Sequence, residues 1–371
     1  MIKRNSYSIP AWVYSASMVL VALPALGAPT YTVTDLGTLG GFSTIAKGVN
    51  ASGETTGYSQ ITGNTAFRAF VHDGSTMQAL GTLGGTNSYG SGINASGQVT
   101  GYAEVTGNTA IHAFLYNGTT MQDLGTLGGA ASFGNAINAS GQVAGYSNIA
   151  SSANHAFLYN GTTMQDLGTL GGASSFGIGI NDSGHVVGWA NFDGTTASRA
   201  FLYDGTMHDL GTLGGAQSFA WAVNASGEVT GDAFTASSSR HAFFYDGTMH
   251  DLGTLGGSLS SGSAINASGM ITGFSRIAGD AVNHAFVYDG TAMLDLNTLI
   301  SSTDPLFGLI TLGSGSSIND NGQIVAVNTN NSRSYLLTPI PQSVPEPATL
   351  LVLGMGLLGL SCRRRRRTKP A

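Results

Sequence analysis

One block of about 43 residues recurs along most of this chain, and its clearest copy runs from His112 to Tyr146. The element Leu-Gly-Thr-Leu-Gly-Gly marks each copy, and successive elements begin 42 to 44 residues apart. Repeats of this length indicate an array or a ring in which each repeat packs against its neighbours. The element begins at Leu36, Leu80, Leu124, Leu167, Leu210 and Leu252, and a degenerate seventh copy spans Leu296–Ile300.

The composition favours a repetitive β-protein outside the cytoplasm. The chain has 55 glycines in 371 residues, and only 9% of its residues are charged. The glycines show no three-residue period, which excludes collagen, and the Val, Ile, Phe and Tyr residues between them argue against disorder. The single cysteine, Cys362, lies in the C-terminal tail, so no intrachain disulfide can hold the repeats together.

Each repeat has the pattern of four short strands. In the second copy the first strand ends at Ile93 and Asn94, and the other three strands span 98–102, 112–116 and 120–124. Asn-Gly and Asp-Gly pairs predict type I′ hairpin turns, in which both central residues have positive φ. Four strands in a repeat of this length are typical of one blade of a β-propeller. The hairpin pairs begin at Asp73, Asn117, Asn160, Asp204, Asp246 and Asp289.

The two ends of the repeat array predict how it closes. A solitary strand spans Tyr31–Leu36, whereas the last copy has three strands, at 316–319, 323–327 and 334–337, followed by Pro339 and Pro341 instead of a hairpin pair. A solenoid would leave the solitary strand unexplained. The sequence therefore predicts an all-β fold over residues 28–341: a seven-bladed β-propeller of four-stranded blades, closed by the N-terminal strand.

Residues 1–27 have the pattern of a secretory signal peptide. Lys3 and Arg4 precede an apolar run from Ala11 to Leu23, and small residues follow it. We expect signal peptidase to cut between Gly27 and Ala28, because a cut after Ala28 would place Pro29 beside the scissile bond. The prediction is an N-terminal signal helix that directs the chain into the secretory pathway.

Residues 342–371 combine a short motif, an apolar segment and a basic end. Residues 348–360 are apolar enough to predict a short transmembrane helix, whose basic end stays on the cytoplasmic side. The tail resembles the PEP-CTERM sorting signal of Gram-negative bacteria. That resemblance implies processing by an exosortase near Pro345–Pro347 and delivery to the cell surface or an exopolysaccharide matrix; a plain membrane anchor is the alternative. The motif and the basic end consist of Val344, Pro345, Glu346 and Pro347, and of Arg363, Arg364, Arg365, Arg366 and Arg367.

The repeats themselves resemble the HAF family of extracellular repeats across nearly all of the mature chain. That family brings no established biochemical activity with it. Its histidine occupies the expected place in four copies, and Arg68, Arg199 and Ser334 replace it in three. Because neighbouring blades are too far apart to share one ion, we predict a cross-blade hydrogen bond or a capping role for the histidines, and no metal site. These histidines are His112, His155, His241 and His284.

Two further repeated positions, one occupied by Asn and one by an aromatic residue, are candidates for structural or binding roles. An Asn before the first turn of every copy predicts a side chain that bonds the turn backbone. An aromatic residue ends the second strand of five copies, beside variable polar loops that share one face with the connections between repeats. Aromatic rings there suit carbohydrate stacking, and packing between blades is the alternative. These aromatic residues are Tyr58, Tyr102, Tyr146, Trp189 and Phe274.

Charge restricts the expected partners. Eight of the 14 Lys and Arg residues lie in the removable ends, so the processed domain is strongly acidic and nucleic-acid binding is not expected. Neutral polysaccharide suits it better; Asp209 and Asp251 lack EF-hand spacing, so calcium has little support. We find no cofactor motif and no catalytic constellation. The sequence predicts a non-catalytic structural or adhesive surface protein, with a carbohydrate-active enzyme or a lectin-like propeller as the alternative.

Overall fold

A computed structural model describes residues 29–192 and 197–341, and regular structure there is almost entirely β-strand. Short 3-10 turns occur at Thr106–Asn108 and Leu296–Thr298. Within these ranges no helix has the length and apolar character needed to cross a membrane. The prediction of an all-β fold is confirmed.

Several predicted features lie outside the described residues. They are the signal helix with its cleavage site at Gly27 and Ala28, the VPEP motif at 344–347, and the apolar segment with the arginines at 363–367. Pro29–Pro341 forms one compact unit.

The strands form antiparallel sheets of four that follow one another along the chain. After the solitary strand β1 (Tyr31–Asp35), the first sheet contains β2 (Gly40–Val49), β3 (Thr55–Ile61), β4 (Phe67–His72) and β5 (Met77–Ala79). The second contains β6 (Gly84–Ile93), β7 (Val99–Val105), β8 (Ile111–Tyr116) and β9 (Met121–Asp123). The third contains β10 (Gly128–Ile137), β11 (Val143–Ile149), β12 (Asn154–Tyr159) and β13 (Met164–Asp166).

The same order of strands continues through the second half of the chain. The fourth sheet contains β14 (Gly171–Ile180), β15 (Val186–Phe192), β16 (Ser198–Tyr203) and β17 (Met207–Asp209). The fifth contains β18 (Gly214–Val223), β19 (Val229–Thr235), β20 (Arg240–Tyr245) and β21 (Met249–Asp251). The sixth contains β22 (Gly256–Ile265), β23 (Ile271–Ile277), β24 (Asn283–Tyr288) and β25 (Met293–Asp295). The last contains β26 (Leu312–Ile318), β27 (Ile324–Asn328) and β28 (Ser334–Pro339).

The last sheet takes its fourth strand from the other end of the chain. Strand β1 pairs antiparallel with β28, so that Tyr31 lies opposite Pro339 and Asp35 lies opposite Tyr335. The first strand of each sheet contacts the first strand of the next, and β26 contacts β2. The last sheet therefore combines strands from the two ends of the described range.

A phenylalanine fills the core of each complete sheet. It lies in the third strand, opposite a glycine of the second strand, as Phe114 lies opposite Gly101. A Cβ atom on Gly101 would lie 1.9 Å from the Tyr89 carbonyl oxygen and 2.9 Å from the Phe114 ring, so the position excludes any side chain. Burying each ring contributes roughly 1.5–3 kcal/mol. The fully buried phenylalanines are Phe70, Phe114, Phe157, Phe201, Phe243 and Phe286.

Buried serines connect neighbouring sheets. Ser132 Oγ in β10 accepts a hydrogen bond from the Ala113 amide in β8, at 2.8 Å, and four other neighbouring pairs of sheets share this contact. Between the last and first sheets the polarity reverses, because the Ala46 amide donates to Ser334 Oγ at 2.8 Å. Each contact satisfies a buried amide that would otherwise destabilise the fold.

The hairpins between third and fourth strands are not type I′ turns. The glycines have positive φ, 95° at Gly74 and 97° at Gly118, but Asp73 and Asn117 do not. Instead the side chain caps the turn: Asp73 Oδ1 accepts from the amides of Ser75 and Thr76, each at 2.8 Å. The prediction of two central residues with positive φ was wrong, because the carboxylate or amide oxygen bonds the turn at negative φ.

Candidate functional site

Seven asparagines, one from each repeat, form a closed series of hydrogen bonds. Asn50 Nδ2 donates to the carbonyl of Asn94 at 3.1 Å, and each following Asn donates to the next. Asn319 then donates back to the Asn50 carbonyl at 2.8 Å. The asparagine ring consists of Asn50, Asn94, Asn138, Asn181, Asn224, Asn266 and Asn319, all buried.

Each of these side chains also holds its own turn. Asn138 Oδ1 accepts from the amides of Ser140 and Gln142, at 3.1 and 2.9 Å. The predicted bond to the turn backbone is therefore confirmed, whereas none of these asparagines needs positive φ. The Nδ2 bond to the next repeat was not predicted. Its donor and acceptor lie 42 to 53 residues apart, so no local pattern signals it.

Two cavities lie on the axis that the first strands surround. The smaller, of about 310 Å³, is lined by the asparagine ring. The larger, of about 920 Å³, is lined mainly by first and second strands, and we call it the funnel. Apolar side chains border both cavities and separate them: Val49, Ile93, Ile137, Ile180 and Val223.

The funnel has a layer of side chains that differ between repeats. One residue per first strand contributes, two positions before the apolar layer. Lys47 is the cationic member, and it is the only lysine between residues 4 and 368. Its side chain is open to solvent, but the surrounding protein lowers its pKa by desolvation. The layer consists of Lys47, Ser91, Asn135, Ile178, Trp221, Ser263 and Ser316.

A continuous arc of aromatic rings begins at the funnel wall, where five of its eight residues line the cavity, and continues beyond the lining. It alternates between first-strand and second-strand residues, as in the stacked pair Tyr89–Tyr102, whose centroids are 4.9 Å apart, and the edge-to-face pair Tyr58–Tyr89, at 5.0 Å. The closest contact joins Phe176 and Trp189 at 3.9 Å. The aromatic arc consists of Tyr58, Tyr89, Tyr102, Phe133, Tyr146, Phe176, Trp189 and Phe219.

The structure places four of the five predicted aromatic residues in this arc. Phe274 lines the funnel but has no ring contact with the arc among the described residues. Sequence reasoning missed the first-strand aromatics Tyr89, Phe133, Phe176 and Phe219. Their common position was the available signal, since Tyr89, Phe133 and Phe176 lie directly opposite a second-strand aromatic residue and Phe219 lies opposite Asp232.

Tyrosine hydroxyl groups give the arc a polar edge. The hydroxyls of Tyr58, Tyr89, Tyr102 and Tyr146 have no hydrogen-bond partner among the described residues. They are accessible to solvent, because Tyr31 is the one described tyrosine whose unpartnered hydroxyl is buried. Burial raises the pKa of Tyr102 to about 12, and the three neighbouring tyrosines add to the effect. The hydroxyls therefore stay protonated donors at any physiological pH.

A charged cluster interrupts the arc at the fifth sheet. Asp232, fully buried, stands where five of the other six second strands have an aromatic residue. It accepts hydrogen bonds from Trp221 Nε1 at 2.7 Å, Ser261 Oγ at 2.6 Å and Arg240 Nη2 at 2.8 Å, and Arg240 Nε also contacts it. The Arg240 guanidinium also lies over the Phe219 ring, 5.4 Å from its centroid. Asp232 is thus a saturated structural carboxylate rather than a free acid.

The repeated histidines bond within their own sheets. His112 Nδ1 contacts Asp123 Oδ2 at 2.8 Å, from the third strand to the fourth, and His284 contacts Asp295 in the same way at 2.6 Å. The prediction of a cross-blade bond was wrong, since an aspartate 10 or 11 residues downstream supplies the partner. In the described ranges no group of three or more His, Cys, Asp or Glu residues could hold a metal ion.

The variable loops lie on the face where each first strand begins. Asn64 Oδ1 in the first such loop accepts from the Phe42 amide at 2.9 Å, and Asn108 and Asp280 make the equivalent bonds in the second and sixth repeats. The expected shared face of these loops and the connections between repeats is therefore observed in these repeats. Part of the fourth loop, residues 193–196, lies outside the described ranges.

Comparison with protein families matches one segment. Residues 343–366 match the PEP-CTERM protein-sorting motif, a substrate signal for exosortase processing that marks secretion and cell-surface sorting in Gram-negative bacteria. No curated protein matches the chain significantly.

Solved structures are similar in fold. YCF48 bound to D1 peptide is 10% identical with a TM-score of 0.51, and the match covers 88% of this chain and 100% of that one. A TolB protein from Agrobacterium tumefaciens is 11% identical, with a TM-score of 0.45 over 72% of this chain and 95% of that one. The β-propeller domain of a Pyrococcus furiosus protease is 9% identical, with a TM-score of 0.47 over 71% and 86%. The repeated four-stranded sheets thus resemble those of β-propellers.

Proposed function

We propose that this chain is a secreted, exosortase-sorted, non-catalytic repeat protein that serves as a structural or adhesive component of the cell surface or exopolysaccharide matrix. The sorting motif at 343–366 supports export and surface delivery. We further propose that its HAF-type repeats form a closed seven-bladed β-propeller. The pairing of β1 with β28 and the return of the asparagine bonds from Asn319 to Asn50 support this closure.

The proposed ligand of the domain is a glycan bound in the funnel. The observation that carries this proposal is the aromatic arc, whose tyrosine hydroxyls line a cavity of about 920 Å³ without protein partners. Concave sites lined by aromatic residues with a few unsatisfied polar groups are typical binding sites. Tyr58, Tyr102, Tyr146 and Phe274 line the funnel, and Trp189 extends the arc behind them.

A non-catalytic role agrees with the chemistry of the funnel wall. Glycoside hydrolysis usually requires two carboxyl groups that flank the scissile bond. Among the described residues that line the funnel there is no Asp or Glu, and the nearby Asp232 is saturated by Trp221, Ser261 and Arg240.

A glycan array tests the proposed binding. The purified protein is applied to neutral and acidic polysaccharides, and every retained glycan is analysed for shortened products. We expect retention without cleavage, weakened by Tyr102→Ala and Tyr146→Ala, which line the funnel, but not by Phe42→Ala, which removes an aromatic ring that is 79% exposed and does not line the funnel. Released oligosaccharides would instead identify a carbohydrate-active enzyme, and no retention would contradict the adhesive role.

Surface sorting needs a separate test in a Gram-negative host that has an exosortase. Replacing Pro345, Glu346 and Pro347 together with Ala should leave the protein in the membrane fraction, while the unaltered chain reaches the surface or the medium. Equal release of both forms would contradict exosortase sorting.

A further inference from the structure

Among the described residues, the funnel wall holds one cation without a counter-ion. Lys47 makes no ion pair or hydrogen bond with any described residue, although it is surrounded by the first strands. The other cation at the funnel wall, Arg240, is neutralised by Asp232. An ammonium group held in a partly desolvated cavity gains most from an anion that enters the cavity with it.

The groups near Lys47 are hydrogen-bond donors that also lack partners. The hydroxyls of Ser91, Ser263 and Ser316 belong to the same layer as Lys47, and like the tyrosine hydroxyls of the arc they have no bond to the described residues. Hydroxyl groups can donate to carboxylate, ether and hydroxyl oxygens alike. The funnel therefore offers one positive charge among many neutral donors.

This combination distinguishes among possible anions. A phosphate or sulfate, with charge concentrated on one group, is usually held by several cationic groups or a cluster of backbone amides, whereas Lys47 stands alone. A ligand with one carboxylate per sugar ring and many hydroxyls fits the site better. The rings of the aromatic arc already contact one another, so the arc presents its edges and hydroxyls to the ligand.

We infer that the funnel recognises a uronic-acid-containing glycan, with a sugar carboxylate paired to Lys47 and sugar oxygens bonded to the hydroxyls of Tyr58, Tyr89, Tyr102 and Tyr146. This inference rests on the proposed glycan binding and differs from the sequence-based prediction of a neutral polysaccharide. The acidic charge of the whole domain slows the approach of such a ligand but does not remove the local attraction at Lys47.

Calorimetric titration with a matched pair of ligands tests the inference. The probes are a galacturonic acid tetramer and the same tetramer after reduction of its carboxyl groups to alcohols. We expect the acidic tetramer to bind more tightly, and Lys47→Met to weaken its binding about 10- to 100-fold while weakening the binding of the neutral tetramer far less. Lys47→Arg should restore part of the loss.

Two further variants separate the contacts. Arg276→Met removes the same charge from a residue that does not line the funnel, and it should change neither affinity. Tyr102→Phe keeps the ring and removes the hydroxyl, so it should weaken both ligands about three- to tenfold if hydroxyl edges bind the sugar.

The outcomes separate the two levels of the proposal. Equal affinity for the two tetramers, or unchanged binding by Lys47→Met, would overturn the acidic-glycan inference and leave the proposed glycan binding in place. Binding of neither tetramer by a protein that retains other glycans on the array would also overturn the inference. Failure to bind any glycan would overturn both.

Discussion

The asparagine ring and the Lys47 layer lie three residues apart at the ends of the same first strands, yet one is uniform among the repeats and the other is varied. All seven repeats have Asn in the ring, as at Asn50 and Asn138. The layer three residues earlier holds side chains as different as Lys47, Ile178 and Trp221. Both positions face the axis, so burial alone does not explain the contrast.

Hydrogen-bond partners explain it. Each ring asparagine bonds its own turn and the next repeat, so a change at one position breaks contacts in two repeats. Ser91, Ser263 and Ser316 bond no described residue, so the fold places no demand on them. The uniform asparagines therefore bond neighbouring repeats, and the three serines of the varied layer are free to serve recognition, whereas Asn135 bonds the Gly177 carbonyl and Trp221 bonds Asp232.

Breaking the asparagine ring should have the largest effect. Asn138→Asp removes the amide that donates to the Asn181 carbonyl and buries a charge facing that oxygen, so we expect the free energy of unfolding to fall by about 3–5 kcal/mol. Denaturant titration measures it. The matched control is Asn160→Asp in an exposed hairpin, because that side chain only accepts hydrogen bonds and other repeats have Asp at the same position. A loss of equal size in the control would contradict the distinction between the ring and the hairpins.

The charged cluster at Asp232 is expected to matter next. Asp232→Asn leaves Arg240 without its counter-ion and should cost about 2–3 kcal/mol of unfolding free energy, measured by the same titration. Asp182→Asn, at an exposed aspartate, should cost less than about 0.5 kcal/mol.

Restoring the repeat pattern sharpens this result. In the second repeat the equivalents of Asp232 and Arg240 are Tyr102 and Ile111. Asp232→Tyr, Arg240→Ile and Ser261→Phe together should recover most of the stability, because Tyr102, Ile111 and Phe133 occupy the same three positions at the second and third sheets without an ion pair. A triple variant less stable than Asp232→Asn would show that the cluster is needed for folding itself.

Most of the strand pattern was predictable because its signals are local. The hairpin pairs and the seven-fold period located four strands per repeat, and the missing hairpin at Pro339 indicated that Tyr31–Asp35 pairs with the last sheet. Boundaries were less accurate: the first strand of the second repeat begins at Gly84, inside an element predicted as a connection. Gly84 has a positive φ of 97°, so the glycine pair at the start of this strand looks like a turn in the sequence.

The site was less predictable because its contacts join distant residues. The series from Asn50 to Asn319 and the bond from Ser261 to Asp232 depend on repeats lying side by side. Some signals existed in the sequence. Asp232 and Ser261 depart from the aromatic pattern of their positions within 30 residues, and Arg240 lies between them at a variable position; linked departures of this kind indicate compensating changes.

Lys47 should affect stability modestly and in a pH-dependent way. Because burial lowers its pKa in the folded protein, the unfolded chain holds that proton more tightly, and the contribution of Lys47 to stability rises with pH between the lowered value and 10.5. Lys47→Met should raise the unfolding free energy at pH 7 by less than about 1 kcal/mol, since the side chain is open to solvent.

Comparing the two proteins at several pH values isolates this effect. The other titratable groups that line the funnel are four tyrosines and Arg240, and they are common to both proteins. The stability difference should shrink as the pH rises from 8 to 10. A difference that stays constant would show that Lys47 acts through packing alone.

The smallest effect is expected at the serines of the Lys47 layer. Ser263→Ala and Ser316→Ala remove hydroxyls that bond no described residue, so each should change the free energy of unfolding by less than about 0.5 kcal/mol. Thermal unfolding measures this change. Ser260→Ala, three residues before Ser263, removes the acceptor of the buried Ala242 amide and should cost about 1–3 kcal/mol. Equal losses at Ser260 and Ser263 would mean that the varied layer supports the fold as the asparagine ring does. If only the Ser260 variant loses stability, the fold does not need the Ser263 hydroxyl, and ligand recognition remains as its role. Ile178 and Trp221 occupy the same layer in other repeats, so a hydroxyl group is not required there for folding.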